Sequence, residues 1–202
     1  MTASPASPRK TPRQARARAT YDAILQASTR ILQREGLEKL NTNHIADVAG
    51  VSIGTLYQYF PGKDAILIEL IRQKRTQLRD GLATVAESAA DQPLGVALDA
   101  LLHVTIDHHM RWPMVGRTLD YAESFLPLAE ESAVFKTELV EIVAGVLAQF
   151  AVPQPAAAAR DLILALNGLI AGRLTSEQAE RDAIFERAQI LAHGYISAAK
   201  KQ

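Results

Sequence analysis

Between residues 98 and 126 the chain gathers side chains capable of specific chemistry: His103, Asp107, His108, His109, Met110, Trp112, Met114, Tyr121 and Phe125. Aromatic rings and methionine interspersed with a few polar groups suit the lining of a small-molecule pocket. His103, Asp107, Met110, Trp112, Met114, Tyr121 and Phe125 are therefore the expected pocket residues, although each taken singly is more often core or surface. Metal binding is the competing chemistry, since His103 and Asp107 stand one helical turn apart. Adjacent histidines, however, point about 100° apart around a helix, and no third ligand is obviously placed. No metal or other cofactor is expected. The chain also has no phosphate-cradling glycine loop, no nucleophile elbow and no cysteine, and Glu130-Glu131 reads as an exposed helix face. No catalytic residue is expected, and the chain is not read as an enzyme.

A second constellation lies between Thr42 and Tyr59, where Ala46, Gly50 and Leu56 are spaced by four and then six residues. Two short helices that cross need a small residue at the crossing, a glycine for a turn of positive φ, and a large aliphatic to close the shared core. Ile45, Val48, Val51 and Phe60 complete that expected core. Any small helical hairpin wants a glycine turn and buried aliphatics, so the pattern alone is moderately specific. Charge adds a second signal. Residues 1–80 hold 13 Lys and Arg against 7 Asp and Glu, while residues 81–202 hold 9 against 15. A balance of zero thus conceals opposite excesses, which suggests that one part meets a polyanion while the other has a separate task; chance placement of solvated charges is the bland alternative.

The elements that must position these residues are all helical. Residues 1–12 carry three prolines and no apolar periodicity, so a disordered basic arm is expected. Tyr21, Ile24, Leu25, Ser28, Ile31 and Leu32 mark a first helix that ends near Gly36. Two short helices follow, capped by Asn41 or Thr42 and by Ser52. A long fourth helix begins after Pro61-Gly62 and carries Ile66, Leu67, Leu70, Ile71, Leu78, Leu82 and Val85. Beyond Asp91-Gln92-Pro93, prolines 113, 127, 153 and 155 divide helices near 94–111, 114–125, 129–150, 156–173 and 177–199. The expected fold is all-α: a helix-turn-helix domain over 13–62, then a connecting helix and a C-terminal helical bundle over 63–202. With no run of about 18 apolar residues and no apolar leader, a soluble cytoplasmic protein is expected.

The run TNHIADVAGVSIGTLYQYFPGKDAIL resembles the DNA-binding segment of the tetracycline-repressor (TetR/AcrR-type) family of bacterial regulators. The resemblance is specific over about residues 16–70, through Gly50-Val51-Ser52, Gly54-Thr55-Leu56-Tyr57, Tyr59-Phe60 and Gly62-Lys63, and beyond residue 90 it is one of helical layout only. It implies that the helix starting at Ser52 is a recognition helix lying in the major groove. Ile53, Thr55, Gln58 and Tyr59 would then be its exposed side chains. Gln58 can pair bidentately with adenine, Ile53 and the Thr55 methyl can pack on a thymine methyl, and Gly54 permits close backbone approach. Thr42, Tyr57 and Lys63 match positions that meet phosphates, and Asn43 one that can reach a base edge. Many relatives carry a basic residue where this chain has Ile53, which puts any transfer of operator sequence in doubt. Arg16 and Arg18, with Arg9, Lys10 and Arg13, could compensate by gripping phosphates or entering a minor groove, making binding strongly salt-dependent; a merely solvated tail is the alternative.

A single helix-turn-helix covers too few base pairs for useful specificity, so a two-fold dimer on a palindromic double-stranded operator is expected. Its interface is expected from the last two long helices, through Leu162, Leu166, Leu169, Gly172, Ile184, Ala188, Leu191 and Tyr195. The resulting expectation is a transcriptional regulator, chiefly a repressor, in which an unidentified small-molecule effector bound in the C-terminal domain shifts the fourth helix and changes operator affinity. The alternative is an all-helical enzyme or binding protein with no DNA role.

Overall fold

The computed structural model describes residues 15–111, 113–171 and 178–201, with side-chain environments in the last helix given from Arg181. The arm expected over 1–12, together with Arg9, Lys10, Arg13, Trp112 and Gly172, lies outside the described residues. Among the described residues all regular structure is helical: α1 Ala15–Arg34, α2 Thr42–Ala49, α3 Ile53–Tyr59, α4 Lys63–Ser88, α5 Leu94–Met110, α6 Pro113–Glu123, α7 Ala129–Gln149, α8 Pro155–Ala171 and α9 Gln178–Ala199. Short 3-10 turns at Leu37–Lys39 and Ala89–Asp91 were not foreseen from apolar spacing, which three residues are too few to reveal. Pro113 and Pro155 each occupy a first helical position, where a missing N–H costs nothing.

The chain divides into two compact units, one of residues 1–74 and 114–129, the other of 75–113 and 130–202. In the first unit the stripe of α1 (Ile24, Leu25, Ile31, Leu32) meets Ile45 and Ala46 of α2, Leu56 of α3, Phe60, and Ile66 and Leu67 of α4. Phe60, Ile45, Leu56 and Ile24 are wholly buried. Ser28 is buried on the same stripe without an orphaned donor, since its hydroxyl donates to the Ile24 carbonyl at 2.8 Å. Val48, expected in this core, is 37% exposed instead. Three residues beyond the buried Ile45, it stands at the edge of the stripe that α2 turns inward.

The same core takes in Val115, Leu119 and Ala122 of α6 and Leu126 and Leu128 beyond it. Residues 114–125 were expected in the C-terminal bundle. The spacing of α6 shows that one face is buried but not which core receives it. Lys74 Nζ of α4 pairs with Asp120 of α6 at 2.6 Å, and Gly116 leaves room for that lysine, 3.6 Å from where a Cβ would stand.

The second unit packs the rest of α4 with α5, α7, α8 and α9 around Leu98, Leu101, Leu102, Ile106, Val146, Leu147, Ile184 and Ala188. Here α5 and α8 both pack on α9. At Gly81 of α4 a Cβ would stand 2.8 Å from Cγ1 of Val104 on α5. Arg181 of α9 donates to Asp107 of α5 through Nε at 2.8 Å, and His193 Nε2 donates to Asp99 at 2.7 Å. Burial opposes ionisation of Asp99, but hydrogen bonds from Gln189 and His193 outweigh it and hold the carboxyl below its ordinary range.

Candidate nucleic-acid interface and apolar cavity

Helix α2 starts at Asn41, whose backbone is extended (φ −140°) and whose side-chain oxygen accepts the His44 amide at 2.9 Å. Of the two caps that the sequence allowed, the structure uses Asn41. The helix ends at Gly50 in the left-handed conformation (φ 68°). The Val51 amide reaches back to the Ala46 carbonyl at 3.0 Å, closing a Schellman turn. Two residues on, Ser52 caps α3 by accepting the Thr55 amide at 3.0 Å. Its hydroxyl also lies 2.8 Å from that of Thr55. Ser52 and Thr55 are thus already engaged in building the helix start.

A second tie runs across the hairpin, where the Thr42 hydroxyl and the Tyr57 phenol lie 3.1 Å apart. The two groups that the resemblance assigned to phosphates therefore stand together at the surface, able to share one anionic oxygen. His44 Nε2 contacts Glu35 at 3.1 Å, which fastens α2 to the end of α1. Nothing in the sequence had singled out this pair; nine residues apart and across a turn, it has no helical register to announce it.

On α3, Ile53 (38%) and Tyr57 (41%) are exposed, as are Gly54 and Gln58, whereas Thr55 is half-buried. Asn43 at the start of α2, Lys63 at the start of α4, and Arg16 and Arg18 in the first turn of α1 are also exposed. Tyr59 differs from expectation. It is 7% exposed, with its ring edge-on to Tyr21 at 6.1 Å. It lies three residues after Leu56 and so shares the inward stripe. Tyr21 in turn stacks on Phe60 at 4.9 Å, and burial, together with a hydrogen bond to Glu69, pushes its phenol above the ordinary value. The exposed face of α3 rests on a rigid aromatic floor.

The second unit holds a cavity of about 60 Å³, whose wall is almost wholly aliphatic. Leu78 and Leu82 come from α4, Leu98, Leu101 and Leu102 from α5, Leu139 and Val143 from α7, Leu162, Ile163 and Leu166 from α8, and Ala192 from α9. Its polar groups are Thr105, His109 and Asn167. Of the residues expected in a pocket, Trp112 lies outside the described residues and none of the others lines this cavity. His103 stacks on Phe185 of α9 at 3.9 Å, Asp107 is taken by Arg181, and Met110 packs half-buried against the core of this unit. Met114 (58%), Tyr121 (66%) and Phe125 (55%) are exposed on and just beyond α6, in the first unit. Chemical distinctiveness picked those residues out. The cavity is built instead from ordinary aliphatics, whose only signal was that Thr105 and His109 fall on the α5 face that also carries Leu98, Leu101 and Leu102. Among the described residues no group of three or more His, Asp or Glu could hold a metal.

Of the residues expected at a dimer interface, Leu162, Leu166, Ile184 and Ala188 are buried inside the second unit, while Leu169, Leu191 and Tyr195 pack half-buried against its core. Counting hydrophobics finds the richer apolar stripe of each helix, and here that stripe faces the unit's own core. The other stripe is exposed: Leu164 (69%) on α8 and Ile190 (75%) on α9, beside Ala165, Gly168, Ala183 and Gly194. No described helix is long and apolar enough to cross a membrane.

Comparison with known proteins agrees with this architecture. The HTH-type transcriptional regulator EthR of Mycobacterium tuberculosis is 38% identical over 96 residues, 45% of this chain and 44% of that protein. The match thus spans less than half of that relative's length. HTH-type transcriptional regulator BetI 2 of Chromohalobacter salexigens is 27% identical over 179 residues, 86% of this chain and 84% of that protein. Among solved structures, a transcriptional regulator from Rhodococcus superposes with a TM-score of 0.73 at 22% identity, covering 87% of this chain and 94% of its own. Residues 24–70 match the model for bacterial regulatory proteins of the tetR family, and residues 93–196 match the tetracyclin repressor-like C-terminal domain. With both halves of its helical architecture matched, the chain belongs to the tetR family.

Proposed function

We propose that this chain is a DNA-binding transcriptional repressor that acts as a homodimer in the cytoplasm and changes its operator affinity when a small molecule occupies the cavity of the second unit. The observation that carries the reading is α3. It is a short helix fixed at its start by Ser52 and at its turn by Gly50, and it presents Ile53, Gly54, Tyr57 and Gln58 to solvent. Such a face offers an amide able to read a base edge and a methyl-rich side chain able to pack on thymine, with the phosphate-seeking groups Thr42, Tyr57 and Lys63 around it. Two copies on a two-fold axis would double the site, and the exposed stripe through Leu164 and Ile190 supports pairing through α8 and α9. The function requires no catalytic step. Regulation requires the effector to bind one conformation better than the other, since equal affinity shifts nothing.

The test is a selection of bound sequences from a random duplex pool with purified protein, followed by a salt titration on the enriched sequence. A palindromic site bound with a steep loss of affinity as salt rises is the expected result. Recovery of no enriched sequence, with affinity indifferent to salt, would remove the DNA reading.

A further inference from the structure

We propose that α3 is an uncharged reader in which Ile53 recognises the 5-methyl group of a pyrimidine, ordinarily thymine, so that the base pairs beneath this helix are A·T. The proposal rests on reading α3 as the recognition helix, and it adds the base class and the residue that selects it. Three observations lead to it. First, no Lys, Arg, Asp or Glu occurs between Asp47 and Lys63, a stretch that holds the end of α2, the turn and the whole of α3. Guanine is read most often by Arg or Lys on O6 and N7, and cytosine by a carboxylate on N4. This helix supplies neither.

Second, packing narrows the readers to two. Leu56 and Tyr59 are buried. Thr55 is half-buried, with its amide and hydroxyl turned to Ser52 at the helix start, and the Tyr57 phenol lies against the Thr42 hydroxyl of α2. Gly54 has no side chain, so Ile53 and Gln58 remain, both exposed. The Gln58 amide matches N6 and N7 of adenine. Ile53 has no polar atom to offer, so the base-edge feature that suits it is the methyl group that thymine alone of the four bases projects into the major groove. Third, Ile53 is the first residue of α3, directly after the Ser52 cap, and recognition helices bring their N-terminal residues to base edges. Its β-branched side chain is stiff at χ1, so little rotamer freedom is lost when it seats on a methyl group.

The test uses the full chain and the duplex enriched from the random pool, with each thymine of the half-site replaced in turn by deoxyuridine, which lacks only the methyl. Fluorescence anisotropy is expected to find a position where the replacement weakens wild-type binding by about fourfold per half-site, the effect of one buried methyl-sized group. At that position 5-methylcytosine, paired with guanine, should bind about fourfold better than cytosine in the same pair. Ile53→Ala should be indifferent to both methyl groups and keep the wild-type salt slope, since no phosphate contact is lost. Gln58→Ala should weaken binding yet keep the methyl discrimination, because it acts on another base. The deoxyuridine scan on wild-type protein requires no variant to fold. A half-site with no methyl-sensitive position, 5-methylcytosine binding no better than cytosine, a sensitivity that survives in Ile53→Ala, or a preference for G·C at the position that Ile53→Ala relaxes would each overturn the proposal while DNA binding itself stands. Recovery of no enriched duplex removes the recognition-helix reading and the base class together.

Discussion

An amide side chain carries a donor and an acceptor side by side, and a lysine carries only charge, so Gln58 and Lys63 should fail differently. Gln58→Ala is expected to cost about 1–3 kcal/mol at the preferred operator and little on unrelated duplexes. Lys63→Ala should weaken all duplexes alike and lower the salt slope by about one. Fluorescence anisotropy at several salt concentrations separates the two. Asp99 gives a residue-scale prediction of another kind. Its carboxyl is held low in the folded protein by Gln189 and His193, so the native state binds fewer protons than the unfolded chain as pH falls. The resulting stabilisation is complete above about pH 4 and is lost as pH drops through the lowered value. Asp99→Asn should thus lower the thermal midpoint at neutral pH and converge with wild type in acid; a difference that persists in acid would contradict this. At this scale the outward face of α3 was legible at Gly54 and Gln58, which stand two residues either side of the inward Leu56 and so on the far side of the helix. Tyr59 was not, since a tyrosine suits surface and core equally and only the rings of Tyr21 and Phe60 decide its place.

Two glycines show how elements are held, and they answer the same substitution with different physics. Gly50→Ala forces a side chain into the left-handed region at φ 68°, with nothing within 4 Å to clash. It should destabilise by about 1–2 kcal/mol through backbone strain alone. Gly81 sits in an ordinary helical turn, where alanine would gain about 1 kcal/mol in propensity. There, however, a Cβ meets Val104 Cγ1 at 2.8 Å, and a β-branched neighbour has little freedom to move aside. Overpacking of about 1–3 kcal/mol should therefore win, and Gly81→Ala should destabilise. In a Val104→Ala background the sign should reverse, because the clash is gone and the propensity gain survives. Chemical denaturation of the four proteins checks the cycle. The helices themselves were readable from apolar periodicity and proline to within one or two residues. What periodicity cannot carry is the destination of a face: α6 announced a buried stripe through Val115 and Leu119, and only the packed core reveals which unit receives it. The same ambiguity put Leu162 and Leu166 at a subunit interface when they line the cavity.

At the scale of the whole molecule, the proposed dimer makes the exposed stripe of α8 and α9 the point of attack. Leu164→Glu with Ile190→Glu should yield a monomer by sedimentation velocity with unchanged helical content, since both side chains are more than two-thirds exposed. Operator affinity should fall by orders of magnitude once the second half-site must be bound independently. The first unit has a further property at this scale, for it is assembled from two stretches of chain, 1–74 and 114–129. Leu119, Ala122 and Leu126 belong to its core as fully as Ile24 does, so a fragment ending after α4 should expose that core and bind dye or aggregate where one extended through Ala129 does not. During synthesis the consequence is one of timing. Translation adds about 5–20 residues per second, so roughly 3–11 s separate the emergence of Lys74 from that of Ala129. Through that interval α1, α2 and α3 wait with an unfinished core. A ribosome that stalls within α5, or a truncation of the message there, releases a chain whose α3 is complete in sequence and unsupported in structure. Such a product should expose the apolar face that Leu119, Ala122 and Leu126 cover in the finished unit.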